Sequence, residues 1–141
     1  CIMRIGVVLT PAGGALKKML PLMKLGLGGR IGSGLQRMSW ISIDDLVGMI
    51  NEALSDDRWN GPINAVADEP VTNKEFTNAL AKLLNRPALL PAPEILIKLI
   101  FGEMAEETLL ADLSVYSKRI PELGYKLTYP SLHKALTHLI K

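Results

Sequence analysis

The chain has few devices that could hold it together from outside a hydrophobic core. Among its 141 residues there is a single cysteine, Cys1. No internal disulfide can form, which points to a reducing, cytoplasmic setting. Aromatic residues make up only 5% and the net charge is +2. The basic residues are dispersed, with Lys17-Lys18 and Lys118-Arg119 the only doublets. A nucleic-acid surface needs a concentrated basic patch with stacking aromatics, so no nucleic-acid partner is expected. No apolar run approaches the ~18 residues of a membrane span, and no secretory signal is present. The two histidines, His133 and His138, stand five apart. Metal pairs on one helix face need a spacing of three or four, so no metal site is expected.

What is abundant is apolar surface. Apolar residues reach 48% and mean hydropathy is +0.22, high for a small domain and suggestive of an unpartnered face. The chain opens without Met directly into Ile2-Met-Arg-Ile-Gly-Val-Val-Leu9, which reads as a buried strand bounded by Thr10-Pro11-Ala-Gly-Gly14. A chain starting inside a strand reads as the tail of a longer protein. Helix follows over 15–25, with Pro21 expected to bend it. Ser39–Ile43 reads as strand. Asp44 is the expected cap of a helix running to Ser55 that buries Leu46, Met49, Ile50, Ala53 and Leu54. Strand is expected over 63–66. Thr72-Asn-Lys-Glu75 is a capping-box signature for a helix to Leu84, stopped by Asn85-Arg-Pro87. Helix is expected over 94–101 and again over 102–110, a short strand within 113–119, a helical turn over 121–124, and a last helix opened by Pro130. This is β-α-β-α-β followed by mainly helix, the pattern of a parallel sheet with a helical cap. The expected division is 1–70, the sheet-bearing part, and 71–141, the helical part. So few parallel strands cannot bury both faces of a sheet.

Gly26, Gly29 and Gly32 fit the spacing of a dinucleotide loop, but the order of elements is reversed. Such a loop needs a strand before it and a helix after it, so that phosphate meets free N–H groups. Here a helix precedes and a strand follows. The stretch therefore reads as a turn-forming surface loop.

Taken in order, a series of segments resembles the C-terminal half of the extended short-chain dehydrogenase/reductase superfamily, and within it the NAD-dependent epimerase/dehydratase (nucleoside-diphosphate-sugar epimerase) family. The segments are Arg4–Leu9, Gly13–Met19, Gly26–Gly29, Ile31–Gly34 with Gln36, Ser39-Trp-Ile41 with Asp44-Asp-Leu46, Gly61–Asn64, Pro70–Phe76, Arg86-Pro87, Gly102–Ala105 and Leu123-Gly-Tyr125 through Tyr129-Pro130. Some members carry the label of cell-division inhibitor, which nothing in these residues supports. The resemblance implies an α/β fold, the C-terminal part of a Rossmann-like parallel sheet with a mainly helical cap. It also implies a parent enzyme using NAD or NADP on a carbonyl or nucleotide-sugar substrate. The family's cofactor loop and Tyr-x-x-x-Lys pair fall in the half that would precede this segment. No tyrosine here has a lysine four residues on, the spacing at which an ammonium lowers the phenol pKa. The chain alone is therefore expected to be inactive and to hold no cofactor.

By the same resemblance, Leu9, Thr10 and Pro11 would pass the cofactor, while Gln36, Met38 and Trp40 would line the substrate side. Relatives acting on nucleotide sugars place an arginine where Met38 stands, with Arg37 beside it expected on the other strand face. The usual His-x-Asp-Asp run has Ser42 in place of histidine. Segment 1–25 is expected to bind the missing N-terminal half or a second copy of itself. A different reading is a standalone protein-interaction module using the helical half. Arg4, on a strand expected to be buried, would need paired acceptors in a structural salt bridge. Glu103, Glu106 and Glu107 read as a solvated face.

Overall fold

The computed structural model describes residues 1–103 and 111–141. The elements in chain order are β1 (Ile2–Ile5), β2 (Val7–Leu9), α1 (Gly14–Lys24), β3 (Arg37–Met38), β4 (Trp40–Ser42), α2 (Ile43–Ser55), β5 (Pro62–Ala65), β6 (Val71–Thr72), α3 (Asn73–Leu84), α4 (Glu94–Phe101), α5 (Arg119–Glu122) and α6 (Leu132–Leu139). Two strand pairs are parallel, β1 with β5 and β2 with β4. The short β3 and β6 pair antiparallel, which the sequence reading did not anticipate. The expected α/β class with parallel strands is present.

The first strand is not one continuous buried element. It breaks at Gly6, where it passes from one partner to the other. The Gly6 N–H donates to the Ala65 carbonyl (3.2 Å) and the next N–H, Val7, donates to the Ser39 carbonyl (2.8 Å). A Cβ at Gly6 would lie 2.7 Å from the Ser39 carbonyl oxygen and 2.9 Å from Val66 Cγ1. Only a glycine lets three strands meet this closely. Upstream of the break the strand is exposed, Ile2 at 63% and Ile5 at 51%. Arg4 is exposed too, so the expected buried salt bridge is not formed.

Two apolar clusters flank the strands. One gathers Ile41, Leu46, Met49, Trp59, Ile63, Ala65 and Ile120 between α2, α5 and the β1–β5 pair. The other joins Leu9, Leu16, Met19, Met38 and Trp40 to Phe76, Leu80, Leu136 and Leu139. In α3, Phe76 and Leu80 are buried while Leu83 and Leu84 pack at the edge of that cluster, the stripe read from sequence. In α2 the stripe is narrower than expected. Leu46 and Met49 are buried, but Ile50 is 39% and Leu54 82% exposed. Its cap is Ser42, whose hydroxyl accepts the Asp45 N–H (3.1 Å), and not Asp44. α1 runs through Pro21. Asn85 ends α3 in the left-handed conformation, φ 52°. Segment 113–118 forms no strand, and α6 begins after Ser131, with Pro130 just outside it. Of the helix expected over 102–110, Gly102 and Glu103 are exposed turn residues, and the rest, with Met104, Glu106 and Glu107, falls outside the described residues.

Gly6→Ala is expected to cost roughly 2 kcal/mol through the clash with the Ser39 carbonyl and Val66. A urea titration checks this. An unchanged midpoint would mean that the three strands are not packed as described.

Candidate functional site

In open parallel sheets ligands bind beyond the carboxyl ends of the strands. Here those ends are Leu9 of β2 and Ser42 of β4, which are register partners. Leu9 is 1% exposed and belongs to the core. The chain then leaves the sheet through Thr10, half-buried, and Pro11, exposed. The Thr10 hydroxyl accepts the Ala12 N–H (3.3 Å) and shapes this turn. α1 follows with no side chain capping its first N–H groups, a terminus able to face negative charge.

The substrate-side residues occupy three different settings. Trp40 is 1% exposed, and its indole N–H donates to the Glu69 carbonyl (3.2 Å), satisfying the one polar atom of a buried ring. Met38, 6% exposed, lines a cavity of about 410 Å³ with Arg4, Gly6, Arg37, Ser39, Asn64 and Val66. Gln36 donates through Nε2 to the Ile31 carbonyl (3.1 Å), tying strand to glycine loop. Leu9, Met38 and Trp40 thus share one cluster, while Thr10, Pro11 and Gln36 stand in the adjoining loops.

The glycine loop is held by the start of α3. The Asn73 side chain, 2% exposed, accepts the Ile31 N–H (2.7 Å). The backbone N–H groups of Asn73 and Lys74 donate to the carbonyls of Gln36 and Gly34, both 2.9 Å. First-turn donors that a helix leaves free are thereby used to fix the loop. The Thr72–Glu75 capping box completes this start, with Glu75 accepting both the Thr72 N–H (2.7 Å) and hydroxyl (2.9 Å). Those bonds hold the Glu75 carboxyl below its ordinary value of 4.5, helped by the Arg37 charge.

Sequence reasoning missed two groups. Ser39, 7% exposed, accepts the Val115 N–H (2.7 Å), and its hydroxyl proton faces the Leu113 and Val115 carbonyls. Asp112 accepts the Arg37 N–H (2.8 Å) and Asn64 donates to the Tyr116 carbonyl (3.0 Å), so segment 112–116 is strapped along the cavity. Asp45, 1% exposed, is a buried carboxylate. It accepts the Ser42 hydroxyl (2.8 Å) and the Thr128 and Tyr129 N–H groups (2.6 and 3.1 Å). The sole hint was its place after a strand with Ser42 three residues before. Burial, with the Asp45 and Glu52 charges, pushes the Tyr125 phenol above its ordinary 10.0. Among the described residues no group of three His, Cys, Asp or Glu gathers, and no helix is long and apolar enough to cross a membrane.

Residues 92–139 match a family model described as a domain of unknown function, DUF1731. An epimerase family protein of Mycobacterium tuberculosis, MT2273, is 41% identical over 133 residues, covering 94% of this chain and 44% of the relative. The crystal structure of human epimerase family protein SDR39U1 (isoform 2) with NADPH superimposes with a TM-score of 0.89 at 39% identity, over 97% of this chain and 46% of that one. A nucleoside-diphosphate sugar epimerase from Corynebacterium glutamicum gives 0.72 at 34% identity, over 98% of this chain and 25% of that one. The chain spans about half the length of the curated relatives it matches, over their C-terminal parts.

Thr72→Ala is expected to cost about 1 kcal/mol at neutral pH. Because the Glu75 pKa is lowered by folding, its contribution is complete above the unfolded value and is lost as pH falls through the folded one. The gap between variant and wild type should therefore narrow below pH 4.5, the ordinary value, in thermal unfolding across pH 2–7. A constant gap would show that the carboxylate takes no part in the cap.

Proposed function

As a member of the epimerase family, matching its C-terminal part, the chain is, we propose, the substrate-side half of an NAD- or NADP-dependent epimerase or reductase acting on a carbonyl or nucleotide-sugar substrate. The observation that carries this reading is the likeness to the human protein, whose structure was solved with NADPH. The fold supplies the matching feature. Leu9, Thr10 and Pro11 leave the carboxyl end of a parallel strand, where such sheets receive ligands. The nicotinamide cofactor would supply hydride chemistry. The chain's own part is to wall the site with Thr10 and Pro11 and to hold the substrate-side stretch Gln36–Trp40 rigid against the core. Met38 and Trp40 bring no charge where nucleotide-sugar enzymes use an arginine, and the cations at the cavity beside Met38 are Arg4 and Arg37. The proton-transfer pair is not in this chain, which alone is proposed to be inactive.

Titration calorimetry tests this reading. NADPH or NAD should bind weakly or not at all to the 141-residue chain. A fusion that places the preceding part of MT2273 before residue 1 should bind with a Kd in the micromolar range or better, on the order of 1–100 μM. Thr10→Trp in the fusion is expected to weaken binding roughly tenfold by filling the cofactor wall. Micromolar binding by the chain alone, or none by the folded fusion, would contradict the proposal.

A further inference from the structure

Helix α4 is apolar on two opposite sides. Ile97 and Phe101, one turn apart, are buried against α1 and the glycine loop. Ile95 and Leu99, one turn apart on the other side, are exposed. A helix that is apolar all round is one that is covered all round. The exposed pair does not stand alone. Leu27 lines the groove that holds Ile97 and Phe101. The Ala92 N–H donates to the Arg30 carbonyl (2.7 Å), and a Cβ at Gly29 would meet the Leu90 carbonyl oxygen. The glycine loop, segment 89–92 and α4 therefore form one surface. On it Leu25, Leu27, Leu89, Leu90, Ile95 and Leu99 are each at least 65% exposed. Single exposed leucines are ordinary, whereas a contiguous set marks a contact.

Charge identifies the contact. No Asp or Glu occurs from Cys1 to Ile43 or from Phe76 to Pro93, the stretches that supply α1, the glycine loop and segment 89–92. Lys24, Arg30 and Arg86 flank the leucines in the chain and are exposed. The Lys18 ammonium lies 5.6 Å from the Phe101 ring centroid, at the seam of α1 and α4. Among the described residues, Glu94 and Glu103 bracket α4. A second copy meeting this surface with its own would set cations against cations. An anionic bilayer suits both features and needs no fitted shape. Aliphatic side chains enter the acyl boundary while flanking cations meet the headgroups.

We propose that the surface formed by the glycine loop, segment 89–92 and the outer side of α4 docks on an anionic phospholipid bilayer, with its leucines in the acyl boundary and Lys24 and Arg86 at the headgroups. The contact is peripheral, since among the described residues no helix is long and apolar enough to cross a membrane. It goes beyond the proposed function and does not depend on it.

Vesicle sedimentation tests it, with the chain and with the fusion that carries the preceding part of MT2273. Both should sediment with vesicles of equal parts phosphatidylcholine and phosphatidylglycerol, less so as salt rises, and not with phosphatidylcholine alone. Lys24→Glu and Arg86→Glu should each weaken binding roughly fivefold or more. Leu89→Ser combined with Leu90→Ser should weaken it about tenfold or more. Leu54→Ser on α2, where Leu54 is 82% exposed, and Lys126→Glu should change nothing. All these side chains are exposed, so the melting temperature should hold in every variant, which separates lost docking from lost fold. No sedimentation, equal sedimentation with phosphatidylcholine alone, or Lys24, Arg86 and Leu89/Leu90 variants that bind like wild type would each overturn the proposal. So would a fusion that ignores the vesicles, because the preceding part then covers this surface, or a homodimer that the Leu89 and Leu90 substitutions break. NADPH titration of the fusion bears on the functional reading alone.

Discussion

The buried carboxylate of Asp45 joins the strand–helix junction at Ser42 to the segment that leads into α6. A carboxylate at 1% exposure is tolerable only if its oxygens are satisfied. Here the Ser42 hydroxyl and the backbone of Thr128 and Tyr129 satisfy them. Such charge-assisted bonds are shorter and stronger than neutral ones. The first residues belong to the strand–helix junction beside the proposed cofactor wall, the others to the segment that leads into α6. Tyr125 adds its hydroxyl to the Asp45 carbonyl (3.4 Å) and packs edge-on against Trp59, with ring centroids 5.6 Å apart. His138 of α6 then reaches Asp44 (3.0 Å) while stacking on Tyr129. With the C-terminal segment anchored, Leu136 and Leu139 close the cluster that holds Leu9, Met38 and Trp40 in place.

A second constraint acts at the other end of the same strands. Gly6 lets three strands converge, and the convergence leaves β1 with one paired edge. The two constraints divide the chain's behaviour. Around Asp45 and the Thr72–Glu75 cap, these polar groups are satisfied internally and the loops are fixed. At β1, Ile2, Arg4 and Ile5 are exposed, while the neighbouring Asn64 and Ser39 bond segment 113–116.

Much of this was legible in sequence where a local rule decides. The capping box at Thr72–Glu75 names its own helix start, and the stripe Phe76, Leu80, Leu83, Leu84 names its buried face. The ordered series of segments from Arg4 to Tyr129 identified the family before any coordinates. Other features were not legible because they depend on contacts distant in sequence. The run 2–9 is uniformly apolar, so its break at Gly6 follows only from the approach of Ser39 and Val66. Leu54 lies on a part of α2 that no described residue covers, and it is 82% exposed. The Asp45 clamp needs backbone groups more than 80 residues away. The residues around the cavity, Arg4 of β1, Asn64 of β5 and Ser39 between β3 and β4, meet through a register that no spacing reveals.

Backbone hydrogen exchange, on this chain alone and with the preceding part of MT2273 added, tests the reading of the chain as the substrate-side half of a longer enzyme most directly. In the free chain, the Thr128 and Tyr129 amides should exchange slowly, being held by Asp45. The Met3 and Ile5 amides, on the unpaired edge of β1, should exchange quickly and become protected only when the second polypeptide is present. Fast exchange at Thr128, protection of Met3 and Ile5 in the free chain, or no gain on addition would contradict it.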